Sequence, residues 1–386
     1  MAILGGQEES SQLTTCATGS AGGCGAGCGC AAPPAATGAV TLAGLTPRGE
    51  RGARAVIREL RIAVSYQCNL RCQHCYVPEE QRSQYHKLFP DELSVEELEQ
   101  TIDVMAADFG LRRISITGGE ALMTPVWPRT ERLLRRALRH DLKVRLITGG
   151  AGQVPVATVL AAAEHSDNLT LQVSLDGVRA ESVNALRGRS YAFDRAVATI
   201  GEIAGTGTPV LVRYTVTDDN YDQTLACYDL AAELGASTFV FKPVFSAGEA
   251  RRGGLTPVTP ATVRELQLAA AERSVGRRTR LKLPQPCYLT AEDLPAGANV
   301  QIAYCGCGRD IAYLTPDGDV YPCTYLVGMP GMEQWRLGNL RDPEFDLARA
   351  WTAEDTYQEF RDAPQACHCT AQEIGRRSDE TLACRA

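Results

Sequence analysis

The segment ELRIAVSYQCNLRCQHCY, residues 59–76, places three closely spaced cysteines directly after a short, strand-like run of apolar residues. These are Cys68, Cys72 and Cys75, and they follow the spacing C-x3-C-x2-C. Such a loop supplies three thiolates to a 4Fe–4S cluster, which takes one ligand for each iron, and it leaves the last iron open to a small molecule. The alternatives are a zinc site completed by a distant His or Cys, and surface cysteines without a shared role.

Strand-like and helix-like patterns alternate along the part of the chain that surrounds this loop. The strand-like runs are residues 60–65, 112–117, 143–148, 169–175, 210–216 and 237–244. The clearest helix covers residues 94–110, where Ser94 and Glu97 form a capping box and Gly110 ends the helix. Six β–α units in series predict an α/β fold with a parallel sheet and right-handed crossovers, a partial (β/α)6 TIM-like barrel. The three cysteines follow the first strand, on the face where such barrels carry functional residues.

The chain divides into four predicted segments that differ in composition and pattern. They are a flexible Gly/Ala/Cys-rich tail (1–57), the barrel (58–250), a linker with a helix at 260–273 (251–284), and a small C-terminal α+β domain (285–386). In the last segment, residues 311–323 predict a hairpin that turns at Asp317–Gly318, and a helix is expected at about 346–362.

Composition excludes several classes of function. The net charge is −7 and the pI is near 5.4, so no global basic field exists for nucleic acid or an anionic membrane. No apolar run of about 18 residues predicts a membrane-spanning helix. The first residues also lack the basic and apolar regions of a signal peptide. Fifteen cysteines in such a chain indicate metal or redox chemistry in a reducing compartment, so we expect a cytoplasmic metalloprotein.

The cysteine loop resembles the signature of the radical S-adenosylmethionine (radical SAM) superfamily, and the resemblance extends over residues 58–250. It implies that the open iron binds the amino and carboxylate groups of S-adenosylmethionine. An electron, from a flavodoxin- or ferredoxin-type donor, then cleaves the cofactor to a 5′-deoxyadenosyl radical. The cofactor carries the difficult chemistry, while the protein binds, orients and shields. The expected activity is that of a radical SAM oxidoreductase or maturase.

The stretch TGGEA, residues 117–121, is similar to the GGEP motif of this superfamily. The resemblance implies that Gly118, Gly119 and Glu120 hold the methionine ammonium of the cofactor, although Ala121 stands where proline is usual. A simple turn is the alternative for an isolated GGE. In RLITGG (145–150) a glycine, the residue before Gly150, stands where the family commonly has the Asn of Thr-Asn-Gly, which puts a side-chain hydrogen bond there in doubt.

The stretch VSLDG, residues 173–177, is similar to the fourth-strand motif that contacts the ribose and carboxylate, which assigns Ser174 and Asp176. Arg213 on the fifth strand either reaches the cofactor carboxylate or forms an ion pair inside the barrel. Two residues beside the last cysteine complete the implied cofactor contacts, one packing on the adenine and one contributing mainly its backbone: His74 and Tyr76.

The late cysteines resemble the ligands of a SPASM or twitch domain, which binds auxiliary 4Fe–4S clusters. Cys305 and Cys323, with Gly318 between them, match the start of either, but the C-x2-C-x5-C-x3-C run of a full SPASM domain is absent. We therefore expect a twitch-like domain with one cluster, and a structural zinc site is the alternative. The implied ligands are Cys305, Cys323, Cys367 and Cys369, with Cys307 and Cys384 as substitutes.

Two substrate classes stay open, a ribosomally made peptide and a sugar or small metabolite. Peptide-modifying members commonly begin with a leader-binding winged-helix domain, and here only residues 1–57 precede the barrel, which disfavours a peptide. An iron–sulfur carrier or electron-transfer protein is the alternative from another class, but it would need neither GGE nor the Ser174 motif. No catalytic acid or base is identified. Two interpretations stay open for the N-terminal cysteines, a metal site and a part of a flexible tail. These cysteines are Cys16, Cys24, Cys28 and Cys30.

Overall fold

The structure, a computed structural model of the 386-residue chain, describes five stretches of residues. They are 42–45, 55–77, 91–329, 331–362 and 369–383, and all lie within one compact unit, Val40–Ala386. The four N-terminal cysteines and most of the predicted tail lie outside the described residues, as do Cys367 and Cys384. In the described part of the chain, no helix is both long and apolar enough to cross a bilayer.

Eleven strands of the described chain form one sheet. They are β1 (Glu59–Ala63), β2 (Arg113–Thr117), β3 (Lys143–Thr148), β4 (Leu169–Ser174), β5 (Val210–Val216), β6 (Thr238–Pro243), β7 (Arg280–Pro284), β8 (Val300–Ala303), β9 (Ile311–Leu314), β10 (Asp319–Tyr321) and β11 (Gly338–Asn339). Strands β1 to β8 follow one another in chain order, and each neighbouring pair is parallel. The partial α/β barrel predicted from the sequence is therefore confirmed.

Helices provide most of the crossovers between these parallel strands, because a tight turn cannot connect parallel neighbours. They are α1 (Val95–Asp108), α2 (Trp127–Arg139), α3 (Val156–Ala162), α4 (Ala180–Arg187), α5 (Ala192–Gly205), α6 (Thr224–Glu233), α7 (Glu249–Arg252), α8 (Pro260–Arg273), α9 (Leu347–Thr352), α10 (Gln358–Asp362) and α11 (Thr370–Ala383). The predicted capping box of α1 is present, since the Glu97 amide donates to Ser94 Oγ (3.1 Å) and the Ser94 amide to Glu97 Oε2 (2.6 Å).

Strands β7 and β8 extend the parallel sheet beyond the six predicted strands. They were missed because each is short, and Lys282 and Gln301 interrupt their apolar pattern. The predicted helix at 346–362 is also wrong as one element. It is two helices, because Ala353 is extended (φ −57°, ψ 141°) and Tyr357 has a positive φ of 52°.

The C-terminal segment continues the barrel sheet on its other side. The predicted hairpin is present, with β10 antiparallel to β9 and Gly318 at φ 98° in the turn. Strand β9 pairs in parallel with β1, so that Leu60 lies beside Ala312. This pairing joins the cysteines after residue 304 to the same sheet that carries the first cysteine loop.

The expected flexible tail does not extend through residues 42–45. Leu42 and Leu45 are 1% and 3% exposed. The Leu42 amide donates to Gln100 Oε1 (2.9 Å), and the Gly44 amide donates to the carbonyl oxygen of Leu340 (2.9 Å). This correction has a simple cause, since the two leucines are the large apolar residues of an otherwise small-residue segment and they gain free energy by burial.

Candidate cofactor and iron–sulfur site

One cavity of about 1010 Å³ runs along the inner face of β1 to β8. All but one of the residues predicted to lie around the first cluster and the cofactor line it: Cys68, Cys72, His74, Cys75, Tyr76, Gly118, Gly119, Glu120, Ser174 and Arg213. The exception is Asp176. The structure thus brings together, from four separate strands and loops, side chains that the sequence connects only through motifs.

Backbone hydrogen bonds fix the first cysteine loop on its surroundings. The Arg71 amide donates to the carbonyl oxygen of Arg187 (3.1 Å), and the Gln73 amide donates to that of Leu186 (2.8 Å), at the end of α4. Burial, and then the nearby Cys72, raises the pKa of the Cys68 thiol. Thiolates at these positions therefore need a cationic partner, and three cysteines on one loop suit an iron–sulfur cluster.

The GGE segment lies directly against the chain that leads into the cysteine loop. The Gly119 amide donates to the carbonyl oxygen of Ser65 (2.8 Å), and the Glu120 amide donates to that of Gln67 (2.7 Å). A Cβ on Gly119 would lie 2.0 Å from the Gln67 oxygen, and one on Gly118 would lie 2.1 Å from the Ser65 oxygen. Only glycine permits this approach, which sets the position of the first cysteine relative to Glu120.

A Gly119→Ala substitution is expected to displace the chain before Cys68, because the added Cβ meets backbone that has no flexible side chain to yield. We expect S-adenosylmethionine cleavage to fall by roughly 100-fold, the effect that a displacement of about 1 Å has on reacting groups. The rate of 5′-deoxyadenosine formation by the reconstituted protein measures this. Gly205→Ala is the matched control, because a Cβ there has nothing within 4 Å. A Gly119→Ala variant as active as this control would contradict the close approach.

The Glu120 carboxylate is only 1% exposed, and burial raises its pKa. It accepts hydrogen bonds from the amides of Gly149 (2.7 Å) and Leu122 (3.0 Å), which stabilise its charged form. Gly149 is the residue that replaces an Asn in the resemblance. It thus contributes its backbone N–H to the site rather than a side chain.

Asp176, expected as a direct cofactor contact, does not line the cavity but lies directly behind its wall. Its carboxylate forms an ion pair with the Arg187 guanidinium, the two side chains being 0% and 4% exposed, and it accepts from the Thr215 amide (2.7 Å). Arg187 lines the cavity instead, and the sequence analysis did not single it out. The available signal in the sequence is its place in the run LRG, residues 186–188, after the Ser174 motif. Asp176 therefore positions Arg187 and, at 3.6 Å, His74 Nε2.

Two buried polar atoms of this wall have no hydrogen-bond partner among the described residues, His74 Nδ1 and Arg187 Nε. Such atoms are uncommon in folded proteins and point to a bound group. Burial outweighs the attraction of Asp176 and lowers the pKa of His74 to about 4, so its imidazole is neutral at pH 7. A neutral, buried ring beside the cysteines fits a site that packs against an adenine ring, and the donor groups fit the carboxylate of S-adenosylmethionine.

Arg213 and Tyr76 link this wall to the C-terminal segment. Arg213 Nη2 donates to Tyr325 Oη (2.9 Å), and within the described chain it forms no ion pair of the kind considered as the alternative. The Tyr76 ring contacts Tyr313 and Tyr325 edge-on, with centroids 6.4 and 6.1 Å apart. Its carbonyl oxygen is approached so closely by Gly328 that a Cβ there would lie 1.9 Å away. Tyr76 thus contributes its ring as well as its backbone.

Four further cysteines line a second, adjoining cavity: Cys305, Cys307, Cys323 and Cys369. Two cations reach this group, Arg61 with Nη1 3.8 Å from Cys307 Sγ and Lys242 with Nζ 3.8 Å from Cys369 Sγ. Cys369 directly precedes α11, whose amino-terminal dipole favours a thiolate. Four thiols with two adjacent cations fit the ligand set of an auxiliary cluster, and Cys305 borders both cavities.

Cys307 belongs to this group, although the resemblance implied it only as a substitute ligand. The chain turns at Gly306, whose carbonyl oxygen accepts from the amides of Arg309, Asp310 and Ile311. The turn allows Cys305 and Cys307 to face one cavity. Cys367, the fourth expected ligand, lies outside the described residues.

The remaining described cysteines are core residues. Cys227 on α6 is fully buried with its Sγ 3.6 Å from the carbonyl oxygen of Leu175, and Cys287 lies 3.8 Å from that of Leu289. In the described part of the chain, no three donor side chains surround a position suited to a single metal ion. A 4Fe–4S cluster is bound differently, with one thiolate for each iron.

Comparison with known proteins gives two matches to families. Residues 62–231 match the radical SAM superfamily, and residues 305–371 match the SPASM iron–sulfur cluster-binding domain. The mycofactocin maturase MftC of Mycolicibacterium smegmatis is 30% identical over 334 residues, which cover 85% of this chain and 78% of MftC. GTP 3′,8-cyclase 1 of Mycobacterium tuberculosis is 27% identical over 301 residues, 75% of this chain and 80% of the cyclase.

A solved structure shares the fold. Streptococcus suis SuiB, crystallised with its precursor peptide SuiA, superposes with a TM-score of 0.59 at 18% identity, over 80% of this chain and 67% of SuiB.

Proposed function

Because this chain belongs to the radical SAM superfamily and carries a SPASM iron–sulfur domain, we propose that it is a maturase that modifies a ribosomally made peptide. The chain is an enzyme that cleaves S-adenosylmethionine at a 4Fe–4S cluster and uses an auxiliary iron–sulfur group. When bound, these groups supply the radical chemistry that removes a hydrogen atom from the substrate. The residues of the chain bind, orient and shield.

The proposed roles follow the geometry of the wall. Cys68, Cys72 and Cys75 hold the first cluster, while the Glu120 carboxylate and the GGE backbone accept and orient the methionine ammonium. Arg187 and Arg213, which line the cavity beside Ser174, hold the cofactor carboxylate and ribose together with that hydroxyl. Neutral His74 packs against the adenine. Cys305, Cys307, Cys323 and Cys369 hold one auxiliary cluster at the edge of the same cavity.

The maturase assignment rests on one observation. A protein named for maturation matches 85% of this chain at 30% identity, through both the barrel and the cluster domain. The shape of the site supports it, because one cavity of about 1010 Å³ extends from the first cysteine loop to Cys305 and accommodates a peptide side chain together with the cofactor. A substrate held there lies between the two iron–sulfur sites.

A nucleotide or another anionic small molecule is the second candidate substrate. The GTP cyclase relative covers 75% of this chain, and the cavity wall carries many more cationic than anionic side chains. Either substrate is compatible with the same wall, since the cofactor side of the cavity is common to both.

A flavodoxin- or ferredoxin-type protein is the proposed electron donor, and the cytoplasm is the proposed compartment. The high cysteine content supports a reducing compartment, because seven described cysteines line the two proposed iron–sulfur sites. The acidic net charge of −7 supports the absence of a nucleic-acid partner.

The test is a reaction of the anaerobically reconstituted full chain with S-adenosylmethionine, dithionite and short peptides encoded beside its gene. Mass spectrometry is expected to detect a peptide of altered mass, formed in proportion to 5′-deoxyadenosine. GTP is offered in a parallel reaction. Conversion of GTP with every peptide unchanged would overturn the peptide proposal in favour of the second candidate.

A further inference from the structure

Four cationic side chains lie together on the inner face of the barrel. Arg61 on β1, Arg113 on β2, Arg145 on β3 and Lys282 on β7 all line the large cavity, and each occupies one of the first three positions of its strand. Ser115 lies between Arg61 and Arg145 in the sheet register. We call these four residues the basic floor.

The basic floor has only one carboxylate partner in the described structure, Glu59. Arg61 Nε donates to Glu59 Oε1 (3.1 Å), and Arg113 Nη1 donates to Oε2 (3.2 Å). Arg145 and Lys282 form no hydrogen bond or ion pair with any described residue. Half of the floor therefore has unused donors, which face the cavity.

This arrangement is electrostatically costly for the protein alone. Burial, and then the positive charges of Arg145 and Arg113, lowers the pKa of Lys282 to about 8. Burial also lowers the pKa of Arg145. The positive charges of Arg61 and Arg113 lower this pKa further, while the negative charge of Glu59 opposes the shift. Cations that are packed together with too few counterions destabilise a fold. Proteins retain such unfavourable arrangements mainly at functional sites.

Part of the floor lies at a distance from the GGE contacts, although Arg145 is close enough to Arg213 for their charges to interact. Arg113 begins β2, and Gly118 follows its end, so about five residues or roughly 16 Å of strand lie between them. The cofactor contacts at Gly118 to Glu120 therefore do not neutralise the floor. Arg61 instead connects it to the auxiliary site, through Cys307.

We propose that the basic floor binds an anionic group of the substrate, a carboxylate or a phosphate, on the side of the cavity away from S-adenosylmethionine. Arg145 and Lys282 bind the anion directly, and Arg61 and Arg113 are held in place by Glu59. Guanidinium groups suit this task, because their fixed donors match the oxygens of carboxylate and phosphate in pairs. This inference rests on the proposed function only in taking the cavity as the place where substrate binds.

The two possible sources of the anion are an acidic group of a peptide and the phosphate of a small molecule. Citrate and inorganic pyrophosphate serve as the respective probes, with binding to the reconstituted full chain measured by calorimetry at low ionic strength. We expect the double variant Arg145→Gln/Lys282→Gln to bind both anions at least tenfold more weakly than the unmodified protein. Arg195→Gln/Arg278→Gln is the control, since it removes the same charge from two exposed positions outside the cavity.

Tighter binding of citrate identifies a carboxylate as the source, and tighter binding of pyrophosphate identifies a phosphate. The melting temperature of the double variant checks the fold, and it is expected to be unchanged or higher because two unpaired cations are removed. Failure of the unmodified protein to bind either anion, equal binding by both double variants, or a lower melting temperature would each overturn the inference. A protein that binds these anions but leaves peptides unmodified overturns the peptide proposal alone.

Discussion

A Cys72→Ala variant is expected to form no 5′-deoxyadenosine above the background of a reaction without enzyme. Cys72 lies in the middle of the loop that the Arg71 and Gln73 amides fix to the end of α4, so no other thiol of the loop moves into its place. The described cysteines outside this loop either line the auxiliary cavity or are packed in the core. With two thiolates left, the first site no longer provides a ligand for each of three irons.

The measurement is 5′-deoxyadenosine released by the anaerobically reconstituted protein with dithionite, together with iron content. Cys227→Ala is the control, because this cysteine is fully buried on α6 and lines neither cavity. Cleavage that persists in Cys72→Ala would sink the proposed assignment of the first cluster. Cleavage lost in both variants would show that the loss comes from damage to the fold.

Much of the barrel was predictable because its signals are local. The strand runs 143–148 and 210–216 agree residue for residue with β3 and β5, and the capping box at Ser94 and Glu97 marks the start of α1. The positions of the motifs made the cofactor wall predictable as well, because residues that follow parallel strands meet at one edge of the sheet. Ser174, for example, lies beside Arg213 in the register of β4 and β5.

The parts that could not be predicted depend on long-range contacts. No rule of sequence spacing predicts that Arg187 pairs with Asp176, or that β9 joins the barrel sheet beside β1. The place of Cys307 depends on a turn at Gly306, and the resemblance implied it only as a substitute ligand. The burial of Leu42 was missed for the same reason, because its partner Gln100 is far away in the chain.

A packed wall beside the large cavity also connects the two cysteine sites. Phe245 stacks on Tyr325 with ring centroids 3.8 Å apart, and Lys242 Nζ lies 4.1 Å from the centre of the Phe245 ring. Lys242 also reaches Cys369, while Tyr325 accepts from Arg213. Because these contacts connect the auxiliary site to residues that line the large cavity, loss of the auxiliary group is expected to affect more than electron transfer.

A variant with Cys305, Cys307, Cys323 and Cys369 all changed to Ala is expected to lose half of the iron of the reconstituted chain. Two 4Fe–4S clusters give about eight irons for each chain, and removal of the auxiliary ligands leaves about four. The Cys68/Cys72/Cys75→Ala variant is expected to reach the same value by losing the other cluster. Iron and acid-labile sulfide content measure both losses.

The single variant Cys307→Ala is the sharper form of this test. It is expected to lose auxiliary iron, because Cys307 faces the same cavity as Cys305 and Cys323 and its Sγ lies 3.8 Å from Arg61 Nη1. Cys287→Ala is the matched control, since this cysteine is buried, lies in the same segment and lines neither cavity. About eight irons in Cys307→Ala would indicate that Cys367 rather than Cys307 is the fourth ligand, as the resemblance implied. About eight irons in the fourfold variant would instead require a cluster on cysteines outside these two groups, such as those between residues 16 and 30.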